Sequence, residues 1–290
     1  MSILAEIIAH KRKEIAALDA RSLRRAAEES PAPRDFVKAL TPLPQGEGPG
    51  VRASVKLIAE LKRASPSKGV LAAHLDLFEV AEIYAQNGAS AISVLTEEKF
   101  FLGKLETLRE LRFTSRLELP LLRKDFILDE VQMYESRANG ADAVLLIAAA
   151  LTDDQRFADL HALALELGLT PLVEVHDESE TERALRLKDI RLIGINNRNL
   201  ATFDISLETT ERIRPMIPAS IAVVAESGIF TARDVQRLSV SQVDAILVGE
   251  ALVTASDIAA KVRELSGMSL RAEVETPRAE IEAKQSPVRW

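Results

Sequence analysis

The stretch GADAVLLIAAALTDDQRFADLHALALELGLTPLVEVH, running from Gly140 to His176, carries one full period of the pattern that decides the fold. Ala143 to Ile147 is a short, wholly apolar run, as expected of a strand buried on both faces, and Thr170 to Val175 is a second strand candidate. Between them a helix is expected to begin near Asp153, a residue type able to cap orphan backbone N–H groups. The same unit recurs on either side at intervals of roughly 20 to 30 residues, which is the alternation of a parallel sheet. The further strand candidates are Val55 to Lys62, Ala91 to Leu95, Leu119 to Lys124, Arg191 to Asn196, Ile221 to Glu226 and Ala245 to Gly249. Helices are expected to start near Leu77, Lys104, Asp129, Glu178, Leu207, Thr231 and Ala251. Eight such units can close into a ring, so the expected class is α/β, a (β/α)8 TIM barrel with an extra N-terminal helical segment. An open doubly wound sheet ranks second, because no G-x-G-x-x-G signature opens the first unit and no P-loop occurs.

Outside the repeating units, Ile3, Leu4, Ile7, Ile8, Ile15 and Leu18 fall at helical spacing behind Ser2 as N-cap, predicting an amphipathic helix packed on the main body. A second helical stretch runs from Leu23 to Ser30, up to the break at Pro31 and Pro33, and Phe36, Val37 and Leu40 form a short apolar patch. Thr41 to Ser54, TPLPQGEGPGVRAS, reads as a turn-rich linker. The expected organisation is N-terminal helices and linker over residues 1–54, the barrel over 55–267, and a charged, disordered or loosely helical tail over 268–290.

Composition narrows the chemistry. The 290 residues are 47% hydrophobic and 28% charged, ordinary for a globular protein, and no apolar run approaches the roughly 20 residues that span a bilayer. Charges at Glu6, Lys11, Arg12, Lys13 and Glu14 interleave with Ile and Leu, so no signal peptide is visible and the chain is read as cytoplasmic, with no membrane partner. The absence of cysteine removes disulfides, thiolate metal sites and cysteine nucleophiles. A net charge of -7 and 4% aromatics argue against nucleic acid as a partner. No H-E-x-x-H or similar spacing occurs, so no metal site is expected.

Five of the apolar runs end on charged or amide side chains. These are Glu60 and Lys62, Lys124, Glu174, Asn196 with Arg198, and Glu226. A charge at the edge of a hydrophobic strand is costly unless paired or solvated, so the repetition predicts one polar site shared by several strands. Glu60 and Lys62 leave the same strand face with Cα atoms roughly 6.6 Å apart, and the small, hydroxyl-bearing turn Ser65-Pro66-Ser67-Lys68-Gly69 follows. A closing salt bridge at the strand end is the plain alternative. Lys124 offers an ammonium that can act as an acid; the alternative is that Arg123, Lys124 and Asp125 form a solvated charge cluster. Glu174 lies among Leu172, Val173 and Val175 and must find a cation or a substrate proton; Arg198 is the structural partner in the competing reading. Asn196 and Arg198 suit carbonyl, hydroxyl or carboxylate oxygens. The turns Glu226-Ser227-Gly228 and Val248-Gly249-Glu250 end the seventh and eighth strands, where barrels hold phosphate on backbone amides. Of the histidines, only His176 shares the parity of Glu174, and a structural role is expected for it.

Taken in order, the motifs IAELKRASPSKG (Ile58 to Gly69), SVLTEEKFFLG (Ser93 to Gly103), LPLLRKDFILDE (Leu119 to Glu130), GADAVLLIAA (Gly140 to Ala149), LVEVH (Leu172 to His176), IGINNRNL (Ile193 to Leu200), VAESGI (Val224 to Ile229) and VGEAL (Val248 to Leu252) resemble indole-3-glycerol phosphate synthases of tryptophan biosynthesis, over Ile3 to Ser266. The resemblance implies a carboxy-lyase that closes the ring of 1-(2-carboxyphenylamino)-1-deoxyribulose 5-phosphate, with loss of carbon dioxide and water and no cofactor. It implies active-site roles for Glu60, Lys62, Lys124, Glu174, Asn196 and Glu226. Phe101, Phe126 and Leu145 would surround the substrate ring, with Arg198 and Leu200 nearby, and Ser65, Ser227, Gly228, Gly249 and the Glu250 backbone would hold phosphate, the Glu250 carboxylate turned away. Association with other tryptophan-pathway enzymes is a further implication. The rival readings are another sugar-phosphate barrel, namely a phosphoribosylanthranilate isomerase or a Schiff-base aldolase, and a non-catalytic phosphate-ligand binding barrel.

Overall fold

The computed structural model describes residues 2–41, 55–65, 69–71, 75–199 and 202–268. Eight parallel strands close into a barrel: β1 (Lys56–Leu61), β2 (Ala91–Leu95), β3 (Leu121–Lys124), β4 (Ala143–Ile147), β5 (Thr170–Val175), β6 (Leu192–Asn196), β7 (Ala222–Glu226) and β8 (Ala245–Val248). Each pairs with its sequence neighbours, and β8 returns to β1 through Ile58 opposite Leu247 and Ala59 opposite Val248. Three helices precede the barrel: α1 (Ile3–Ile15), α2 (Ala20–Glu29) and α3 (Phe36–Leu40). Between the strands run α4 (Leu77–Gln86), α5 (Leu105–Phe113), α6 (Glu130–Ala138), α7 (Asp154–Glu166), α8 (Glu178–Ala184), α9 (Glu208–Ile213) and α10 (Ala232–Val240), and α11 (Glu250–Val253) and α12 (Ile258–Ser266) follow β8. Most of the helices begin at an acidic or hydroxyl residue that caps them: Asp153 accepts from Gln155 and Arg156 N–H, and Asp129 and Thr231 each close a capping box, whereas α5, α9 and α11 start at Lys104, Leu207 and Gly249 without a side-chain cap.

Period-two alternation sorts the strand residues into two cores. Leu57, Ala59, Ile92, Val94, Leu121, Val144, Val173, Ile193, Val223 and Ile246 point outward into the layer shared with the helices. Ile58, Ala91, Leu122, Ala143, Leu145, Leu172, Leu192, Val224, Ala245 and Leu247 point inward and fill the barrel, with Phe36 and Leu40 of α3 joining them as a plug at the end opposite the strand C-termini. The floor is stitched by Asp142, which accepts from the N–H of Arg34 and of Leu121, while the Arg34 guanidinium donates to the carbonyls of Leu117 and Leu119. Arg137 and Arg112 hold the carbonyls of Ser30 and Ala32, fixing the connection from α2 to α3.

The strand register carries a consequence for the mouth. Glu60 lies across Ser93 from Leu122, two residues short of Lys124. Glu174 lies across Gly194 from Val224, two short of Glu226, and Glu226 lies across Leu247 from Ile58, two short of Glu60. A stagger of about two residues for every two strands is that of an eight-stranded barrel with shear 8, in which side chains from alternate strands meet in layers. Glu60, Lys124, Glu174 and Glu226, from the four odd strands, are therefore one layer, the uppermost of the interior. The predicted strands agree with those observed to within two residues at each end. Of the expected linker, Thr41 to Ser54, and the expected tail, 268–290, all but Thr41 and Met268 lie outside the described residues.

Candidate active site

At the strand C-termini the uppermost layer opens into a cavity. Glu60, Lys62, Lys124, Glu174, Asn196, Arg198, Glu226, Ser227, Gly228, Gly249 and Glu250 line it, together with Phe101, Phe126 and Leu145. Of the remaining expected residues, Leu200 lies outside the described residues, and Ser65 belongs by its backbone to a small hairpin of Ala64–Ser65 with Gly69–Val70, its side chain not being among what is described.

Lys124 is the centre of the charge pattern. Its Nζ lies 2.9 Å from Glu226 Oε2 and 3.2 Å from Glu174 Oε2. Burial favours a neutral amine, but Glu226, Glu174 and Glu60 outweigh it and hold Lys124 as an ammonium. Burial likewise favours a protonated Glu174; Lys124, His176 and Asn196 overcome it and keep this carboxylate well below its ordinary range. Asn196 Nδ2 donates to Glu174 Oε1 at 3.2 Å, and Asn196 Oδ1 accepts from the Arg198 N–H at 3.0 Å. Glu226 goes the other way: burial, with the nearby charges of Glu174 and Glu60, outweighs Lys124 and pushes its carboxyl up to about 7. One buried oxygen, Glu226 Oε1, has no hydrogen-bond partner among the described residues. The mouth thus holds a fixed acid, a fixed carboxylate and a carboxyl poised near neutrality, a division of labour suited to proton transfer. At the rim Lys62 Nζ sits 2.7 Å from Glu60 Oε1.

Two glycines make room for these carboxylates. A Cβ at Gly194 would run into Glu226 Oε1, and one at Gly249 into Glu60 Oε1. Ser227 and Gly228 both adopt left-handed backbone, with φ 66° and 78°. For serine that conformation is strained and needs support. It comes from Asn197, 2% exposed, whose Nδ2 donates to the Ser227 carbonyl while its Oδ1 accepts from Thr210 N–H and Oγ1.

The opposite wall is apolar. Phe101 and Phe126 lie with centroids 6.2 Å apart and planes 40° apart, and Ile3, Leu4 and Ile7 of α1 face the same cavity. Buried charges fix this wall. Lys11 Nζ reaches Asp125 Oδ1 at 2.9 Å, Asp125 also holds Arg123 and Thr96, and Glu97 accepts the N–H groups of Lys99, Phe100 and Phe101.

Two of the competing readings are set aside here. Arg123 and Asp125 are not a solvated cluster around Lys124; at 3% and 2% exposure both are buried, Arg123 pairing with Glu135 of α6 and with Asp125, which meets Lys11 of α1 at the cavity wall. The structural partner of Glu174 is not Arg198, which approaches Glu250 at 3.9 Å, keeping that carboxylate at the cavity edge. His176 touches Glu174 directly. Sequence reasoning missed Asn197, Lys11 and Glu97, whose partners are remote in the chain or are backbone groups; only the asparagine doublet at 196–197 offered a signal.

A closed parallel barrel with its polar residues at the strand C-termini, glycine turns after the last two strands and an aromatic wall defines a (β/α)8-barrel enzyme. Among solved structures the fold is similar to 3-hexulose-6-phosphate synthase from Salmonella typhimurium, with TM-score 0.57 and 14% identity over 75% of this chain and 99% of that one. It is equally similar to KGPDC from Streptococcus mutans, with TM-score 0.57 and 13% identity over 76% and 99%. These likenesses concern the fold alone. Residues 4–265 match the family model described as indole-3-glycerol phosphate synthase. The indole-3-glycerol phosphate synthase of Dehalococcoides mccartyi strain CBDB1 is 56% identical over 212 residues, covering 73% of this chain and 81% of that protein. That of Roseiflexus sp. strain RS-1 is 49% identical over 278 residues, covering 92% and 99%. The chain belongs to the indole-3-glycerol phosphate synthase family.

Proposed function

We propose that this chain converts 1-(2-carboxyphenylamino)-1-deoxyribulose 5-phosphate to indole-3-glycerol phosphate. The supporting observation is the layer of Glu60, Glu174 and Glu226 around the Lys124 ammonium, set between an aromatic wall and two glycine turns. The substrate has a ring for the wall, a phosphate for the turns and a ketone that must meet the ring between them. Positioning comes first, because a flexible chain has to be folded until carbon reaches carbonyl.

In the first step the ring carbon bearing the carboxylate attacks the ketone carbon, and Lys124 gives its proton to the ketone oxygen. The carboxylate then leaves as carbon dioxide, its bonding electrons restoring the aromatic ring. In the last step the new hydroxyl departs as water, taking a proton from an acid, while the neighbouring methylene yields one to a base. Lys62, placed by Glu60, holds the substrate carboxylate and serves as the acid of dehydration; Glu174 assists proton transfer, and Asn196 orients it. Glu226, near its own midpoint at neutral pH, can take or give the proton that Lys124 exchanges. Backbone amides of Ser227, Gly228, Gly249 and Glu250 cradle the phosphate.

Adding the carboxyphenylamino sugar phosphate and following indole fluorescence tests this reading. Turnover without added metal or nucleotide is the expected result. Failure to produce the indole, or trapping of a lysine by borohydride with a carbonyl substrate, would overturn it in favour of another barrel chemistry.

A further inference from the structure

His176, the first residue beyond β5, stands two places after Glu174 and so faces the same mouth. Its ring is nearly buried, with side-chain exposure of 11%, and each nitrogen meets a carboxylate. Nε2 lies 3.2 Å from Glu174 Oε1, outside the geometry of a hydrogen bond, so the contact is electrostatic and is an ion pair when the ring carries both protons. Nδ1 lies 3.0 Å from Glu180 Oε2, which also accepts the His176 backbone N–H at 2.8 Å. Glu180 is itself fixed, its N–H donating to Asp177, the N-cap of α8. A neutral imidazole would turn one lone pair toward a carboxylate; an imidazolium satisfies both sides.

We propose that His176 is a positioning residue, an imidazolium locked by Glu180 that holds Glu174 ionised and aimed at Lys124. The inference rests on the ring-closure reading for what Glu174 does, but the charge state of His176 does not depend on it. Burial alone would lower the imidazole pKa, yet Glu174 on β5 and Glu180 on α8 outweigh it and raise it to about 10. With Lys124 on one oxygen and His176 and Asn196 on the other, the Glu174 carboxylate has a single orientation. Glu226 shows the contrast: among the described residues Lys124 is its one ion-pair partner, and burial raises its carboxyl to about 7.

Two measurements test this. In the unliganded protein, NMR titration of the four histidine rings, with His176 assigned by difference against His176→Gln, should show its imidazolium persisting past pH 9. Loss of its proton near pH 6.5 would overturn the proposal. For turnover, His176→Gln should lower kcat about tenfold or more with KM changed less than about threefold, and move the acid limb of kcat upward as Glu174 becomes easier to protonate. Glu180→Gln removes one of the two carboxylates and should bring the alkaline limb down, because His176 then loses its proton earlier. A purely structural histidine would lower kcat or melting temperature and leave both limbs in place, and that result would also overturn it. If the wild-type protein makes no indole-3-glycerol phosphate, the ring-closure reading fails, while the ring titration still decides the charge on His176.

Discussion

Among the described residues, Lys124 is the one side chain that pairs with two carboxylates of the uppermost barrel layer. If it protonates the ketone, Lys124→Ala should lower kcat by about 10²- to 10⁴-fold while substrate-analogue affinity, set mainly by phosphate and ring contacts, falls far less. Steady-state kinetics beside equilibrium binding separate the two effects, and a variant that closes the ring at the normal rate refutes the role. The glycine beneath Glu226 makes a second prediction. Gly194→Ala places a methyl against Glu226 Oε1, pushing that carboxyl off Lys124, and should cost on the order of 10²-fold in kcat with little change in melting temperature. At this scale the sequence was legible where charge interrupts an apolar strand, as at Glu60, Lys124 and Glu174. Partners were not legible. Nothing near Glu174 in the chain says that its cation is Lys124 from two strands away rather than Arg198, and nothing near Asp125 says that it belongs to Lys11.

Among the elements, α1 carries the most information that local pattern could not supply. Its apolar positions predicted an amphipathic helix, but the placement of Ile3, Leu4 and Ile7 on the cavity depends on a buried ion pair formed across the molecule. Removing Lys11 would leave the buried Asp125 carboxylate with Arg123 as its remaining counter-charge and with one hydrogen bond fewer. Lys11→Met should therefore destabilise the protein by about 2 kcal/mol, seen in the urea midpoint, and raise KM several-fold as the wall of the ring pocket loosens. A loss of stability with KM unchanged would mean that α1 does not shape the pocket. The strands and helices were easier to read, because buried parallel strands are continuous apolar runs and capping residues mark the helix starts. What periodicity could not show was the layer: the stagger that brings Glu60, Lys124, Glu174 and Glu226 level is a property of the closed ring, visible only through strand pairing.

For the whole molecule, buried histidines give stability opposite dependences on pH. His161, 1% exposed in α7, has its pKa lowered from 6.5 to about 4, chiefly by burial. Between those values the unfolded chain binds a proton that the folded chain refuses, so stability should fall as pH drops from about 6.5 to 4. His161→Leu should flatten that slope in melting temperature, and an unchanged slope would assign acid lability to other groups. His176, with a raised pKa, acts in the reverse sense: its contribution is complete below 6.5 and is lost as pH rises through about 10. The alternating supply of the uppermost layer also has a genetic consequence. A cut in the loop between β4 and α7 would give a front fragment carrying Glu60 and Lys124 and a back fragment carrying Glu174 and Glu226, each an incomplete circuit of charge. Neither piece should make indole-3-glycerol phosphate by itself, whereas the two expressed together should restore tryptophan-independent growth to a strain lacking the enzyme, for this is a centre that exists only once the circle is whole.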